Sequence, residues 1–300
     1  MQKRKFSTRP SDSIDIKTLP KKIDSRNAVD IAYNAEIEWI EKKLRQGISV
    51  LVSCEKILIP CLFDILVGRL SRNRETPFRC VAVSAATSRE STGLHENASY
   101  AEILMSNFKK VVLESTPDTI LFLANLDVFI TRQEGRFIRE ITAWLYEYPQ
   151  VTTLAFHEHD VIPPDILNNI FTARQEIFGI KRESLVRLIT QEEAKRMDPF
   201  RLNLVRLYKY VSGINAVRLR KIFSSFLQHP EFVYPGDDAK IYGALRDMTS
   251  GSFRLSDIDM EKDIAGYTQV KRILKDEIVD LCKRMRSEEH TSELQSRQSI

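Results

Sequence analysis

Short apolar runs alternate with amphipathic segments over the first 180 residues, and this alternation constrains the fold more than any other feature of the sequence. The runs have the length of strands buried on both faces, and the segments between them have helical spacing. Strands that alternate with helices predict right-handed crossovers and a mainly parallel sheet covered on both faces. The predicted strands are Ile48–Val52, Arg79–Ala85, Thr119–Ala124, Val151–Phe156 and Gln175–Ile180.

After Ile180 the pattern changes to helices alone. The fold class predicted is α/β, with a five-stranded parallel sheet between helices, followed by a small all-α lid subdomain. The predicted helices are Asn27–Arg45, one that begins at Pro60, Asn97–Leu113 and Arg136–Tyr148 among the strands, and Glu183–Met197, Leu202–Tyr210 and Asn215–Leu227 after them.

The composition excludes several classes of protein. Hydrophobic residues make up 43% of the 300-residue chain, which is enough apolar side chain for a buried core. No apolar run reaches the roughly 18 residues that span a membrane, and the opening residues lack the pattern of a signal peptide. The four cysteines, Cys54, Cys61, Cys80 and Cys282, form no CxxC motif. The sequence therefore predicts a reduced, cytoplasmic protein with no metal site and no membrane partner.

The positive charge of the chain is concentrated at its start. Residues 1–22 carry seven basic and two acidic side chains, so the net charge of +4 leaves −1 on residues 23–300. A segment of this kind, mixed with Ser, Thr and Pro, is interpreted as a basic disordered tail; the alternative is an arm that binds a polyanion. Because the remainder has no bulk attraction for phosphate, nucleic acid is not expected to be a partner.

Arg286–Ser296 (RSEEHTSELQS) matches the in-frame translation of a common sequencing adapter over eleven consecutive residues. We interpret residues 286–300 as an adapter-derived, non-native tail and exclude them from fold reasoning. On this interpretation the chain is a metagenomic fragment whose natural sequence continues past Met285.

Three strings, in this order and spacing, resemble an AAA+ ATPase module. The first, ILFLANLD, resembles the apolar Walker B strand that ends in an Asp-Glu pair, and the second resembles the strand and proline-containing turn that come after it. The third resembles the final lid helix. His157 stands where the family has a polar sensor residue, and Arg218 has a sensor-like place on the lid helix. The strings are Ile120–Asp127, Val151–Leu167 and Ser212–Phe223.

The segment at the position of the Walker A loop contains no glycine. A phosphate-binding loop needs glycines, so that backbone N–H groups converge on the phosphate, as well as a Lys for the phosphates and a hydroxyl for magnesium. Here Ile59 occupies the Lys position and Pro60 the hydroxyl position. Lys56 is expected to be a solvated loop lysine rather than a displaced phosphate lysine. The degenerate phosphate loop is Ser53, Cys54, Glu55, Lys56, Ile57, Leu58, Ile59 and Pro60.

The hydrolytic end of the site is altered as well. Magnesium and water activation require carboxylates at the tip of the third strand, where this chain has Ala124 and Asn125. Asp127 is expected to be exposed or to cap a helix, rather than to bind metal. Arg218, Arg220 and Lys221 are expected to form a solvated basic face, with contact to a nucleotide or a neighbouring subunit as the alternative. The first module is therefore predicted to hold no cofactor and to lack ATPase activity.

A further string resembles the segment that opens an AAA+ module and contacts the nucleotide base. Its residues Asp263, Ile264, Gly266 and Tyr267 are followed by Val270-Lys271. The alternative is an ordinary amphipathic helix with Gly266 near its start. The predicted division is residues 1–22, basic tail; 23–182, degenerate AAA+ α/β core; 183–256, helical lid and linker; 257–285, start of a second AAA+ module; 286–300, non-native tail.

The resemblance implies a tandem AAA+ ATPase whose first module is a pseudoenzyme that acts as a scaffold or partner-binding module. ATP, Mg²⁺, hydrolysis and protein remodelling then belong to the second module, and the implied partners are further copies in a ring and a protein substrate or adaptor. One alternative is a non-enzymatic P-loop-like interaction or regulatory subunit. Another makes the Leu202–Leu227 helices a DNA-reading helix-turn-helix, against which the charge of the body argues.

Overall fold

The computed structural model describes residues 13–72, 78–83, 99–129, 135–158, 170–171, 173–197, 202–228, 243–245 and 266–273. Residues 1–249 and 250–300 form two units, and each is described by itself. The predicted non-native tail, Asp263, Ile264 and residues 1–12 lie outside the described residues. The domain boundaries at 182 and 256 stay predictions.

Five strands of the described chain form an all-parallel sheet, in the order β3-β4-β5-β2-β6. In this order β5 lies between β2 and β4, so β2 and β4, the first and third strands of this sheet along the chain, are not neighbours. A separate antiparallel pair joins β1 to β7. The strands are β1 Ser13–Ile14, β2 Val50–Cys54, β3 Arg79–Val83, β4 Thr119–Leu123, β5 Thr152–His157, β6 Ala173–Ile177 and β7 Leu202–Asn203.

Helices cover both faces of the sheet. Alternate residues of a strand point to opposite faces, and they belong here to two different apolar clusters. Val50 and Val52 face a cluster that includes α1, α2, α3 and the lid, whereas Leu51 faces one built with α4 and α5. The helices are α1 Ser25–Ala32, α2 Asn34–Arg45, α3 Ile59–Leu70, α4 Tyr100–Leu113, α5 Gly135–Glu147, α6 Arg182–Leu185, α7 Gln191–Met197, α8 Leu204–Val211, α9 Ala216–Gln228 and α10 Thr268–Ile273. The predicted α/β class with a parallel sheet is confirmed.

The predicted helix over 27–45 is two helices, separated by Tyr33. The Tyr33 side chain is buried at 3% exposure, and its hydroxyl accepts a hydrogen bond from the backbone N–H of Ala216 at 3.1 Å. The contact joins the α1–α2 junction to the first residue of α9. Spacing along the sequence could not show this break, because the partner lies 183 residues away.

The segment 13–22 corrects the prediction of a disordered tail over residues 1–22. Its strand β1 pairs with β7, and a 3-10 helix follows at Ile16–Thr18. Ile16 and Leu19 are buried, and Gln191 of α7 donates its backbone N–H to the Pro20 carbonyl at 3.0 Å. This part of the predicted tail therefore packs on the lid, where it buries the side chains of Ile16 and Leu19.

The lid contains a buried ion pair that the sequence did not predict. Arg220 of α9 donates two hydrogen bonds to the Glu193 carboxylate of α7, at 2.8 and 2.6 Å, and a third to the Leu188 carbonyl at 3.0 Å. The Glu193 carboxylate also accepts from the Thr190 N–H at 2.9 Å. Both side chains are at most 8% exposed. The expectation of a solvated Arg220 is wrong: this residue lies on the packed face of α9.

In the second unit, α10 follows two residues with left-handed backbone. Gly266 has φ of 77°, which glycine adopts without strain, and Tyr267 has φ of 53°. Tyr267 is 75% exposed. No helix in the described part of the chain is both long and apolar enough to span a membrane.

Arg220→Met should lower the free energy of unfolding by about 3–5 kcal/mol, because it leaves the Glu193 carboxylate buried without its cation. Denaturant unfolding measures this value. Lys221→Met, on the exposed face of the same helix, is the matched control and should change it little. Adding Glu193→Gln to Arg220→Met should recover part of the loss; a double variant as unstable as the sum of the two single variants would contradict this account.

Candidate functional site

The connection from β2 to α3 occupies the place of a phosphate-binding loop at the carboxyl end of the sheet. Strand β2 continues to Cys54, two residues beyond its predicted end, and Glu55 is followed at once by a 3-10 helix over Lys56–Leu58. Helix α3 then begins at Ile59. The predicted eight-residue loop is therefore a strand end, one connecting residue and two successive helices. We call residues 55–59 the bridge.

Two backbone N–H groups of the bridge donate to carbonyl groups inside it. The N–H of Leu58 donates to the Glu55 carbonyl at 2.9 Å, and the N–H of Ile59 donates to the Lys56 carbonyl. Leu58 is fully buried and Ile59 is 8% exposed. In the described chain, left-handed φ angles occur at Gly47, Gly213, Gly266 and Tyr267, all outside the bridge. The bridge therefore lacks the left-handed residues that a loop uses to converge its N–H groups on an anion.

Lys56 forms an ion pair with Asp127, which follows β4 on the 3-10 helix Leu126–Phe129. The Asp127 side chain is 9% exposed and that of Lys56 is 45% exposed. The Oδ1 atom of Asp127 is buried without a hydrogen bond, so Lys56 is an important compensation for this carboxylate. Asp127 is largely buried in the first turn of a 3-10 helix, rather than exposed. Lys56 is exposed as expected, but it lies in a 3-10 helix and forms an ion pair.

A second ion pair joins the bridge to the lid. Arg218 Nη2 lies 2.8 Å from Glu55 Oε2, in an orientation too poorly aligned for a hydrogen bond. This oxygen is inaccessible to water, although the Arg218 side chain as a whole is 61% exposed. Asn215 accepts the Arg218 backbone N–H at 2.8 Å and thereby caps the start of α9. The sensor-like Arg218 thus reaches a carboxylate of its own chain.

The remaining predicted site residues have packing or polar contacts. Ala124 is half-buried against the apolar core, and Asn125 donates to the Tyr100 hydroxyl at 3.4 Å. His157 ends β5 opposite Ser53 of β2. The described residues contain no group of three His, Cys, Asp or Glu that could hold a metal ion.

The linker from the sheet to the lid packs closely against the turn before α9. A Cβ at Gly179 would lie 2.5 Å from the Gly213 Cα, so a larger residue at position 179 would displace backbone. The neighbouring Ile180 N–H donates to the Ile214 carbonyl at 3.0 Å. The sequence showed no sign of this contact beyond the presence of the two glycines.

Cys54 is unsuited to nucleophilic chemistry. Burial raises the pKa of the Cys54 thiol to about 12, and the negative charges of Glu158 and Glu55 act in the same direction. Since the thiolate is the reactive form, this cysteine is an inert core residue.

The parallel order β3-β4-β5-β2-β6, with the bridge at the carboxyl end of β2 and the lid after β6, decides the fold. The chain has an α/β P-loop-like fold. No family model and no curated protein matches the sequence. Among solved structures it is similar to the Aeropyrum pernix Orc1 protein, which was solved in complex with DNA, at 13% identity and a TM-score of 0.46. The match covers 72% of this chain and 65% of that chain. The strand order of the chain itself confirms the predicted α/β fold with a five-stranded parallel sheet, and membership of the AAA+ family stays a prediction.

Lys56→Met should lower the free energy of unfolding by about 1–3 kcal/mol, because the Asp127 carboxylate is then buried without its ion pair. Combining it with Asp127→Asn should recover part of the loss, since the two residues are coupled. Lys42→Met, at an exposed position of α2, is the control. Additive effects of the two substitutions in denaturant unfolding would contradict the ion pair.

The Cys54 thiol should make the fold less stable in alkali. Its pKa in the folded chain lies above the ordinary value of 9.0, so the stabilisation from the protonated thiol is complete below pH 9 and is lost as the pH rises from 9 towards 12. The contribution to the slope is about 1.4 kcal/mol per pH unit. Unfolding between pH 9 and 11 should therefore be less pH-dependent for Cys54→Val than for the unaltered chain; equal slopes would refute this.

Proposed function

We propose that residues 1–256 form a nucleotide-free, AAA+-like module that acts as a scaffold or partner-binding domain of a longer tandem AAA+ protein. The bridge carries this proposal. The N–H groups of Leu58 and Ile59 donate to carbonyl groups within the bridge, and the side chains of both residues are buried. A triphosphate would find neither converging donors nor the space that a glycine loop leaves.

The charges around the bridge support the same function. Its lysine is paired with Asp127, and the arginine that reaches it from the lid is paired with Glu55. Charge-assisted hydrogen bonds contribute about 1.5–3 kcal/mol each, so the loss of several removes most of a micromolar affinity. With Ala124 and Asn125 at the end of β4, this module is also proposed to lack the carboxylates that position magnesium and water.

A second AAA+ module beginning near residue 257 remains part of the proposal. The left-handed φ of Gly266, two residues before the start of α10, fits the glycine of the family's opening segment. ATP and Mg²⁺ binding, hydrolysis and protein remodelling are assigned to that module, and ring assembly and contact with a protein substrate or adaptor to the whole protein.

The interaction-subunit alternative shares the inactive module but makes residues 257–285 a docking helix, and the natural sequence beyond Met285 separates the two. A longer coding sequence with GxxxxGK[ST] within about 30–50 residues of Met285 would favour the tandem ATPase, and its absence would favour the interaction subunit. The helix-turn-helix alternative is weakened because Arg220 of α9 is buried and is not available to contact DNA. Weak attraction for nucleic acid stays a prediction from the charge of residues 23–300.

Residues 1–256 should show no magnesium-dependent ATP hydrolysis and no ATP affinity tighter than roughly millimolar. Titration of a fluorescent ATP analogue into the full 300-residue chain measures binding, and release of inorganic phosphate measures hydrolysis. An active P-loop ATPase at the same concentration is the control for both assays. Micromolar binding would overturn the proposed function.

A further inference from the structure

The pair formed by Glu55 and Arg218 joins the bridge to the lid. Glu55 belongs to the bridge at the carboxyl end of the sheet, and Arg218 to the first turn of lid helix α9. Guanidinium is the side chain best suited to bind carboxylate or phosphate. Here its anion is a side chain of the same polypeptide, 2.8 Å away.

The environment of the carboxylate makes this contact more than an ordinary surface ion pair. Glu55 is 22% exposed, and its Oε2 atom, the one that faces Arg218, is inaccessible to water. A buried carboxylate oxygen that loses its cation keeps the cost of desolvation. The pair therefore favours the arrangement in which the first turn of α9 lies against the bridge.

We propose that Glu55 is a built-in anion that holds the first turn of the lid helix on the sheet, so that lid closure needs no nucleotide. This inference rests on the proposed function, since it explains how a module without ATP keeps its lid in place. Two neighbouring contacts act on the same turn: the Tyr33 hydroxyl accepts the Ala216 N–H, and Asn215 accepts the Arg218 N–H.

Hydrogen exchange of the backbone amides in the first turn of α9 tests the proposal on the full chain. Glu55→Gln keeps the size of the side chain and removes its charge, and it should raise the exchange rates of Arg218 and Leu219 about two- to five-fold. Arg218→Met should do the same, and the double variant should exchange no faster than either single variant. Glu140→Gln, which removes the charge of a half-exposed pair with Lys109, is the matched control and should leave these amides unchanged.

Restoring the anion provides the second test. In Glu55→Ala, sodium formate should slow exchange in the first turn of α9 relative to sodium chloride at the same ionic strength, because formate supplies the missing carboxylate. Formate should have no such effect on Glu55→Ala/Arg218→Met. Unchanged exchange in Glu55→Gln, or equal protection by formate without Arg218, would overturn the proposal. Failure of the proposed function would appear separately, as ATP binding by the unaltered chain.

Discussion

Burial of the residues between β2 and α3 is the interaction on which the rest of the site depends. Full burial of a leucine or isoleucine side chain contributes about 1.5–3 kcal/mol, and Leu58 and Ile59 are both buried in the core around β2. This packing draws the chain into a 3-10 helix directly after Glu55. A wide loop around a phosphate would expose the same side chains, so burial of these apolar residues favours the compact bridge over such a loop.

The tight bridge also determines how its two charged residues are used. Glu55 and Lys56 are adjacent, yet they pair in different directions, one with α9 of the lid and the other with the residues after β4. Each pair joins the bridge to a different part of the fold. An incoming triphosphate would have to break both pairs and approach Glu55 and Asp127, which carry its own sign of charge.

The sequence predicted those features that depend on local pattern. Alternating apolar runs and helices were enough for the parallel sheet. The lost phosphate loop, predicted from the absence of glycine after β2, stays a prediction. Features that depend on distant contacts were missed. In the sequence Arg220 has the pattern of a surface residue, and only the fold places Glu193 of α7 next to it. Tyr33 lies at the break between two helices, where its hydroxyl accepts a hydrogen bond from the distant Ala216. The burial of Ile16 and Leu19 was missed because the prediction for residues 1–22 was based on their basic charge.

The contacts that hold the lid come largely from elements that precede the sheet in the chain. Helix α1 packs against α9, the Tyr33 hydroxyl binds the first residue of α9, and β1 pairs with β7. The sheet-to-lid linker adds the close approach of Gly179 to Gly213. Because these contacts and the Glu55–Arg218 pair are all made within one polypeptide, their stabilisation does not vary with ligand concentration. A lid fixed in this way offers a constant surface to a partner, which suits a scaffold better than a site that opens and closes with each nucleotide.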